Sequence, residues 1–252
     1  MKVSKMEDGG PEIFASIQGE GSSIQESCVF VRMALCNLKC NYCDSAYTWR
    51  FGSTESVPFQ KAFSRKEQIM EMTPEEMEIE IRRVAGKLRR VVFTGGEPLL
   101  QQLEINKVIE LLERDGDYWY VEFETNGTLE FKDIDMVDQI NCSPKLASSG
   151  NDSSRHNKKV IKSYITASEK LHTIVNFKFV VGDNTFDEDI KEIRKWEKEV
   201  GCPRELIYLM PEGVEPEKIL SGTRKLVEVC NKYGYKLSTR LQILLWGNKR
   251  GV

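Results

Sequence analysis

The chain has 252 residues, 40% hydrophobic and 30% charged, with 36 Lys and Arg against 39 Asp and Glu and a formal net charge of −3. That balance fits a globular protein with its own core. It excludes a disordered chain, a polycation drawn to nucleic acid, and a protein held on anionic membrane by charge.

No apolar run approaches the ~20 residues that cross a bilayer. The opening "MKVSKMEDGGPEIF" lacks the apolar centre of a secretory signal. A cytoplasmic setting, where thiols stay reduced, is therefore expected. In chain order, "SCVFVRM" (27–33) reads as a strand running directly into a loop that carries Cys36, Cys40 and Cys43. Residues 50–72 are polar and aromatic without a period and are expected to be an insertion or lid. "TPEEMEIEIRRVAGKL" (73–88) starts a helix, with Thr73 at the cap, Pro74 at the first helical position and acids in the first turn. "RRVVFTGGEP" is a buried strand halted by glycines, and "LEINKVIELLERDG" (103–116) a helix ending at Gly116.

"YWYVEFETNG" and "VDQINCSPK" are two more strand-and-turn units. Residues 147–163, rich in Ser, Asn and Lys, are expected to be a second insertion or lid. "TIVNFKFVVGD" (173–183) is a strand followed by a helix over about 184–199, and "ELIYLMPEG" leads to a helix over about 215–233 before the closing "LQILLWGNKRGV". Strand, loop and helix repeated about six times predict one α/β domain over 1–252, a parallel sheet with outer helices curled into a partial barrel. The basic clusters Lys87–Arg90 and Lys158–Lys162 read as solvated surface.

Cys36–Cys43, Thr94–Pro98, Glu124–Gly127, Ser143–Lys145 and Met210–Gly213 all follow strand ends. Parallel α/β folds gather those ends on one face, so a single shared site is predicted there. Of the seven cysteines, Cys28, Cys142, Cys202 and Cys230 are scattered and read as small buried hydrophobes. Thiolates suit zinc or an iron–sulfur cluster. A 4Fe–4S cube usually takes four, so the three in CxxxCxxC leave one iron open. The alternative is zinc with a distant fourth ligand from Cys142, His156 or His172.

In "TGGEP", Gly95 and Gly96 let backbone approach a ligand, and the carbonyls with Glu97 can accept from an ammonium. Lys145 can meet a carboxylate and Ser143 a hydroxyl, or "SPK" is a Pro turn. Glu124, Thr125 and Asn126 read either as hydroxyl contacts or as caps. Arg32 can hold a carboxylate with two parallel hydrogen bonds. Gln18 offers donor and acceptor, Glu20 accepts only, and Gly19 and Gly21 permit close approach, unless "SIQGEG" is a surface turn.

CxxxCxxC after the first strand, with Tyr42 inside it and "TGGEP" after the next, resembles the radical S-adenosylmethionine (SAM) superfamily. The fold implied is a partial (β/α)6-type radical SAM barrel. By this resemblance Cys36, Cys40 and Cys43 hold a 4Fe–4S cluster whose open iron is chelated by SAM, and an electron from the cluster splits the sulfonium bond to give a 5′-deoxyadenosyl radical. The implied SAM-binding residues are Tyr42, Cys43, Asp44, Gly95, Gly96, Glu97, Glu124, Thr125, Asn126, Ser143, Pro144 and Lys145.

Together with "SIQGEG", the arginine of "FVR", Asp-Ser after the third cysteine, "ETNGT", "SPK", "MPEG" and "GNKRGV", the chain resembles the 7-carboxy-7-deazaguanine synthase family from end to end. The resemblance implies a ring-contracting lyase of queuosine-type 7-deazaguanine biosynthesis. It would convert 6-carboxy-5,6,7,8-tetrahydropterin to 7-carboxy-7-deazaguanine with loss of ammonia, after hydrogen is taken from C6 of the pterin and later returned. Implied substrate contacts are Ile17, Gln18, Gly19, Glu20, Arg32, Thr94 and Val252, the last through a free carboxylate. Implied too are Mg2+ at Ser45, where many relatives carry threonine, an electron donor such as flavodoxin or ferredoxin, and a homodimer with no nucleic-acid or membrane partner. The competing readings are a glycyl-radical-enzyme activase, a peptide-modifying radical SAM enzyme, and a non-catalytic iron–sulfur or zinc protein.

Overall fold

The computed structural model describes residues 1–52, 62–152 and 155–252. Their strands are β1 (Lys2–Ser4), β2 (Ile13–Ile17), β3 (Ser27–Met33), β4 (Ile69–Glu71), β5 (Arg90–Gly95), β6 (Tyr120–Thr125), β7 (Gln139–Cys142), β8 (Ile174–Val181), β9 (Ile207–Pro211) and β10 (Lys236–Leu237). One sheet takes all of them in the order β10-β9-β8-β7-β6-β5-β3-β1-β4, with β2 paired to β3. From β3 to β10 every neighbouring pair is parallel, and β1, β2 and β4 are antiparallel additions at one side. The α/β class with a parallel sheet is as expected, and the strand pairing among the described residues leaves the barrel open.

The helices are α1 (Arg65–Gln68), α2 (Pro74–Ala85), α3 (Gln102–Glu113), α4 (Lys158–Lys170), α5 (Phe186–Val200), α6 (Pro216–Tyr233) and α7 (Leu241–Trp246). At the start of α2, Thr73 Oγ accepts the Glu76 N–H at 3.2 Å and the Glu76 carboxylate accepts the Thr73 N–H at 2.8 Å, a reciprocal cap. The repeat is less regular than predicted. Among the described residues, β6 and β7 are joined with only a short 3-10 turn at Ile134–Met136 and no α-helix.

The two segments expected to be insertions or lids carry regular structure where they are described. In 50–72, residues 53–61 lie outside the described residues, while Ile69–Glu71 is an edge strand registered on Lys2–Ser4. In 147–163, residues 153 and 154 lie outside, and from Lys158 the segment is the crossover helix α4. Asn157 Oδ1 caps it by accepting the Val160 N–H at 3.3 Å. The basic clusters also divide. Lys158 and Lys159 are exposed and paired with Glu199 and Glu130, but Arg90 turns inward to Glu122 at 3.0 Å.

Strand alternation positions the site. Val31, Phe93, Phe123, Ile140, Phe177 and Leu209 belong to one apolar core under the helices. Trp196 of α5 packs edge-on to Phe177 and Phe179 at 5.2 and 4.9 Å. The intervening residues form a polar interior face, registered Arg32 to Thr94, Glu124 to Asn141, Asn141 to Asn176 and Lys178 to Tyr208. Among the described residues no helix is long and apolar enough to cross a membrane.

Candidate active site

One cavity of about 1150 Å³ opens at the interior face and the C-terminal strand ends. The three cysteines line it on the loop that leaves β3. Each sulfur already has polar donors around it. Cys36 Sγ faces the Leu38 N–H at 3.5 Å and Asn126 Nδ2 at 3.9 Å. Cys40 Sγ faces Asn151 Nδ2 at 3.2 Å, and Cys43 Sγ faces Trp49 Nε1 at 3.3 Å with Ser45 Oγ at 3.7 Å. Burial pushes the Cys36 thiol up to about 12 and raises that of Cys43, so ligation must replace the protons with metal charge. Soft donors ringed by N–H groups fit an iron–sulfur cluster, whose sulfurs take such hydrogen bonds.

None of the three candidate fourth ligands for zinc lines the cavity with the loop thiols. Cys142 is packed in the apolar core, His156 Nε2 is held by the Lys145 carbonyl at 2.7 Å, and His172 is exposed beyond α4. Among the described residues no three Cys, His, Asp or Glu side chains close around a single ion, the three loop thiols included. Cys28, Cys142, Cys202 and Cys230 are buried free thiols, as expected.

"TGGEP" runs against the backbone that enters the cysteine loop. The Gly96 N–H donates to the Met33 carbonyl at 3.0 Å and the Glu97 N–H to that of Leu35 at 2.8 Å. A Cβ on Gly96 would stand 1.8 Å from the Leu35 oxygen, and one on Gly95, at φ +108°, 2.3 Å from that of Met33. These glycines thus seat the cysteine loop, and both line the cavity.

Glu97 departs from expectation. Its side chain is fully buried and does not line the cavity. One oxygen accepts from Thr125 Oγ1 at 2.8 Å and the Leu99 N–H at 3.1 Å, the other from the Asn126 N–H at 2.7 Å. Burial pushes this carboxyl up to about 7 despite those donors. Glu97 therefore shapes the "ETNGT" turn, and Asn126 Nδ2 donates onward to Asn37 of the cysteine loop at 2.9 Å. Pro144 also falls outside the lining, whereas Ser143 and Lys145 line it, joined by an Nζ–Oγ hydrogen bond of 2.7 Å. Tyr42, Asp44, Ser45, Thr94, Glu124, Thr125 and Asn126 line it as well.

Ile17, Gln18, Gly19, Glu20, Arg32 and Val252 meet at the same cavity, so "SIQGEG" is no surface turn. Gln18 is turned inward, its Nε2 donating to Glu122 at 2.8 Å and Glu124 at 3.2 Å. Glu20 accepts from Lys178 at 2.8 Å, Gln242 at 2.7 Å and Arg240 at 3.2 Å. Lys178 also meets Glu124 at 2.7 Å. Burial raises both carboxyls, but Lys178 and Arg240 pull Glu20 down to about 2. Glu124, beside Glu20 and Glu122, stays raised to about 7.

Four residues escaped the sequence reading. Lys178 is a buried cation on the interior face, and the period-two polarity of "NFKFV" was its signal. Glu12, fully buried, faces Arg32 at 3.4 Å and accepts from Tyr47 OH at 2.9 Å and Arg250 at 2.8 Å. Arg250 stacks on the Tyr47 ring at 3.6 Å, which lays the tail along the cavity rim. Arg240 joins Glu20 to Asp44. Nothing local to Glu12, Arg240 or Arg250 announced partners so distant in sequence.

Residues 30–219 match the model of the Radical SAM superfamily. A 7-carboxy-7-deazaguanine synthase of Pyrobaculum aerophilum is 32% identical over 95% of this chain and 95% of its own length. One of Hyperthermus butylicus is 31% identical over 93% and 91%. The crystal structure of QueE from Escherichia coli superposes with a TM-score of 0.64 at 24% identity, covering 94% of this chain and 93% of that one, a likeness of fold.

Proposed function

Because the chain belongs to the radical SAM superfamily and, within it, to the 7-carboxy-7-deazaguanine synthase family, we propose that it converts 6-carboxy-5,6,7,8-tetrahydropterin to 7-carboxy-7-deazaguanine with loss of ammonia. The observation that carries the reading is the convergence of two chemistries on one cavity: a three-thiol loop with N–H donors in place, and an arginine held by a buried acid. The 4Fe–4S cluster with SAM supplies reversible abstraction of a hydrogen atom.

The chain's own residues bind and orient. Cys36, Cys40 and Cys43 ligate the cluster. Gly95 and Gly96 seat its loop, and Tyr42, Asp44, Thr125, Asn126, Ser143 and Lys145 are the SAM contacts we favour, with Glu97 and Pro144 acting only through the turns they shape. Arg32, held by Glu12, receives the pterin carboxylate. Ile17, Gly19 and Thr94 pack on the ring, and Gln18, Glu20 and Glu124 face its amide-and-amine edge. The tail to Val252, pinned by Arg250, helps to exclude water and oxygen.

Magnesium fits only jointly with substrate. Ser45 offers one hard oxygen, and Asp44 is engaged by Arg240, so the pterin carboxylate and water must complete the shell. A one-electron donor such as flavodoxin or ferredoxin and a twofold dimer complete the proposal, twofold pairs being the commonest oligomer. The single sheet supports one unit over 1–252.

The test is anaerobic turnover of reconstituted protein with SAM, reductant, Mg2+ and the tetrahydropterin. 7-Carboxy-7-deazaguanine is the expected product. SAM cleavage without it would move the chain to an activase or peptide-modifying role, and neither would leave a non-catalytic cluster protein.

A further inference from the structure

Five charged side chains line the cavity in alternating sign: Glu124, Lys178, Glu20, Arg240 and Asp44. The links are 2.7 Å from Glu124 to Lys178, 2.8 Å from Lys178 to Glu20 and 3.2 Å from Glu20 to Arg240, and Arg240 Nη2 closes on Asp44. They come from β6, β8, the loop after β2, the start of α7 and the cysteine loop, so the row crosses from one wall of the site to the other. Arg240 also donates to the Gly213 carbonyl of "MPEG". Beside it the Leu241 N–H donates to the Gly19 carbonyl at 3.0 Å. The side chain of Gln242 lies where a Cβ on Gly19 would be, 1.9 Å from its oxygen, so Gly19 is what lets α7 dock there.

A guanidinium can serve three acceptors because its donors are fixed in a planar fork, and an ammonium on a flexible stem cannot reproduce that geometry. The two cations are the buried members, Lys178 at 2% and Arg240 at 11% side-chain exposure, while Asp44 is the open end of the row at 38%. Removing a cation is costly because it leaves its enclosed acid partners charged without compensation. Asp44 adjoins Cys43, while Glu20 and Glu124 stand on the wall assigned above to the pterin.

Resting on that assignment, we propose that Arg240 is a positioning residue that locks the cysteine loop to the substrate wall, fixing the distance between the cofactor and the bond to be cleaved. Arg240→Gln should load a full cluster and bind SAM, but release more 5′-deoxyadenosine per product. Its kcat should fall about 100-fold, the scale expected of an ångström of misplacement, with KM changed far less. Arg240→Lys, which keeps the charge but not the fork, should lie between.

A second readout needs no turnover. In cluster-free protein, labelling of Cys36, Cys40 and Cys43 by a thiol reagent should quicken about tenfold in Arg240→Gln, as their loop loses its tie. Wild-type ratios of 5′-deoxyadenosine to product together with wild-type labelling rates, in both variants, would overturn the proposal. Should Arg240→Gln fail to fold, as seen by circular dichroism, Arg240→Lys decides alone by the same two measurements. Wild-type turnover of the tetrahydropterin is scored first. Its absence would remove the substrate assignment, while thiol labelling would still judge the tie.

Discussion

Glu97 and Asn126 are joined by a hydrogen bond of 2.7 Å from the Asn126 backbone N–H to a carboxylate oxygen that is wholly buried. Two more donors, the Thr125 hydroxyl and the Leu99 N–H, occupy its other oxygen. Glu97→Ala leaves all three without an acceptor in a dry site. It should cost about 3 kcal/mol of stability, read by urea denaturation of the cluster-free protein. A loss below about 0.5 kcal/mol would mean the turn stands without it.

Cys36→Ala removes one of three thiolates. The reconstituted protein should lose the visible absorption of the cluster and all product formation. Full iron content with activity would show that another ligand serves.

Arg32→Ala should raise the pterin KM about 100-fold, the worth of a paired, charge-assisted contact, while SAM binding holds near wild type. Glu12→Gln keeps the shape but weakens the clamp on Arg32 and Arg250. Its KM should rise about tenfold, the scale of one lost ionic hydrogen bond. Equal losses in SAM and pterin affinity would indicate general collapse of the site.

Glu124 contributes a pH dependence whose sign is fixed. Its folded carboxyl is raised to about 7 from an ordinary 4.5, by burial first and by Glu20 and Glu122 as neighbours. Between these values the folded protein holds the proton more tightly than the unfolded chain, so stability falls as pH rises, by up to about 1.4 kcal/mol per pH unit. Glu20, pulled down to about 2, acts in the opposite sense and below 4.5, so the windows are separate. Glu97, raised to about 7 by burial, adds a decline of the same sign in the same window. Denaturation of cluster-free protein at pH 5 and pH 8 should therefore show the sum, and Glu124→Gln should remove about half of it.

Ser45→Ala removes the one hydroxyl proposed for Mg2+. Stimulation by the metal should shrink severalfold while cluster content stays whole, and an unchanged response in steady-state assays would take Ser45 out of the metal's shell.

Strands β3 and β5 to β9 and most helices were legible because their signals are local, whereas β2 went unread. The Thr73 cap, the apolar runs and the glycine stops each lie within a few residues of the feature they set. α4 was hidden by its exposed lysines and serines, although Val160, Ile161, Tyr164 and Ile165 mark a buried stripe. β1, β4 and β10 span two or three residues each, too short for alternation to show. Within the site, residue types announced the chemistry but not the direction of side chains. Glu97 reads as a ligand group and points the other way, and the pairing of Glu12 with Arg250 spans 238 residues. Such contacts are made by the finished sheet.

The alternation of the strands has a consequence for change over time. Odd and even positions of β5 to β9 answer to different masters, one to the helices and one to whatever occupies the barrel. A library randomising Thr94, Glu124, Lys178, Val180 and Met210 together would redraw the reaction chamber while the oily seam behind it stays as it is. A new acid could then be accommodated through every second codon, with the thiol loop retained unaltered.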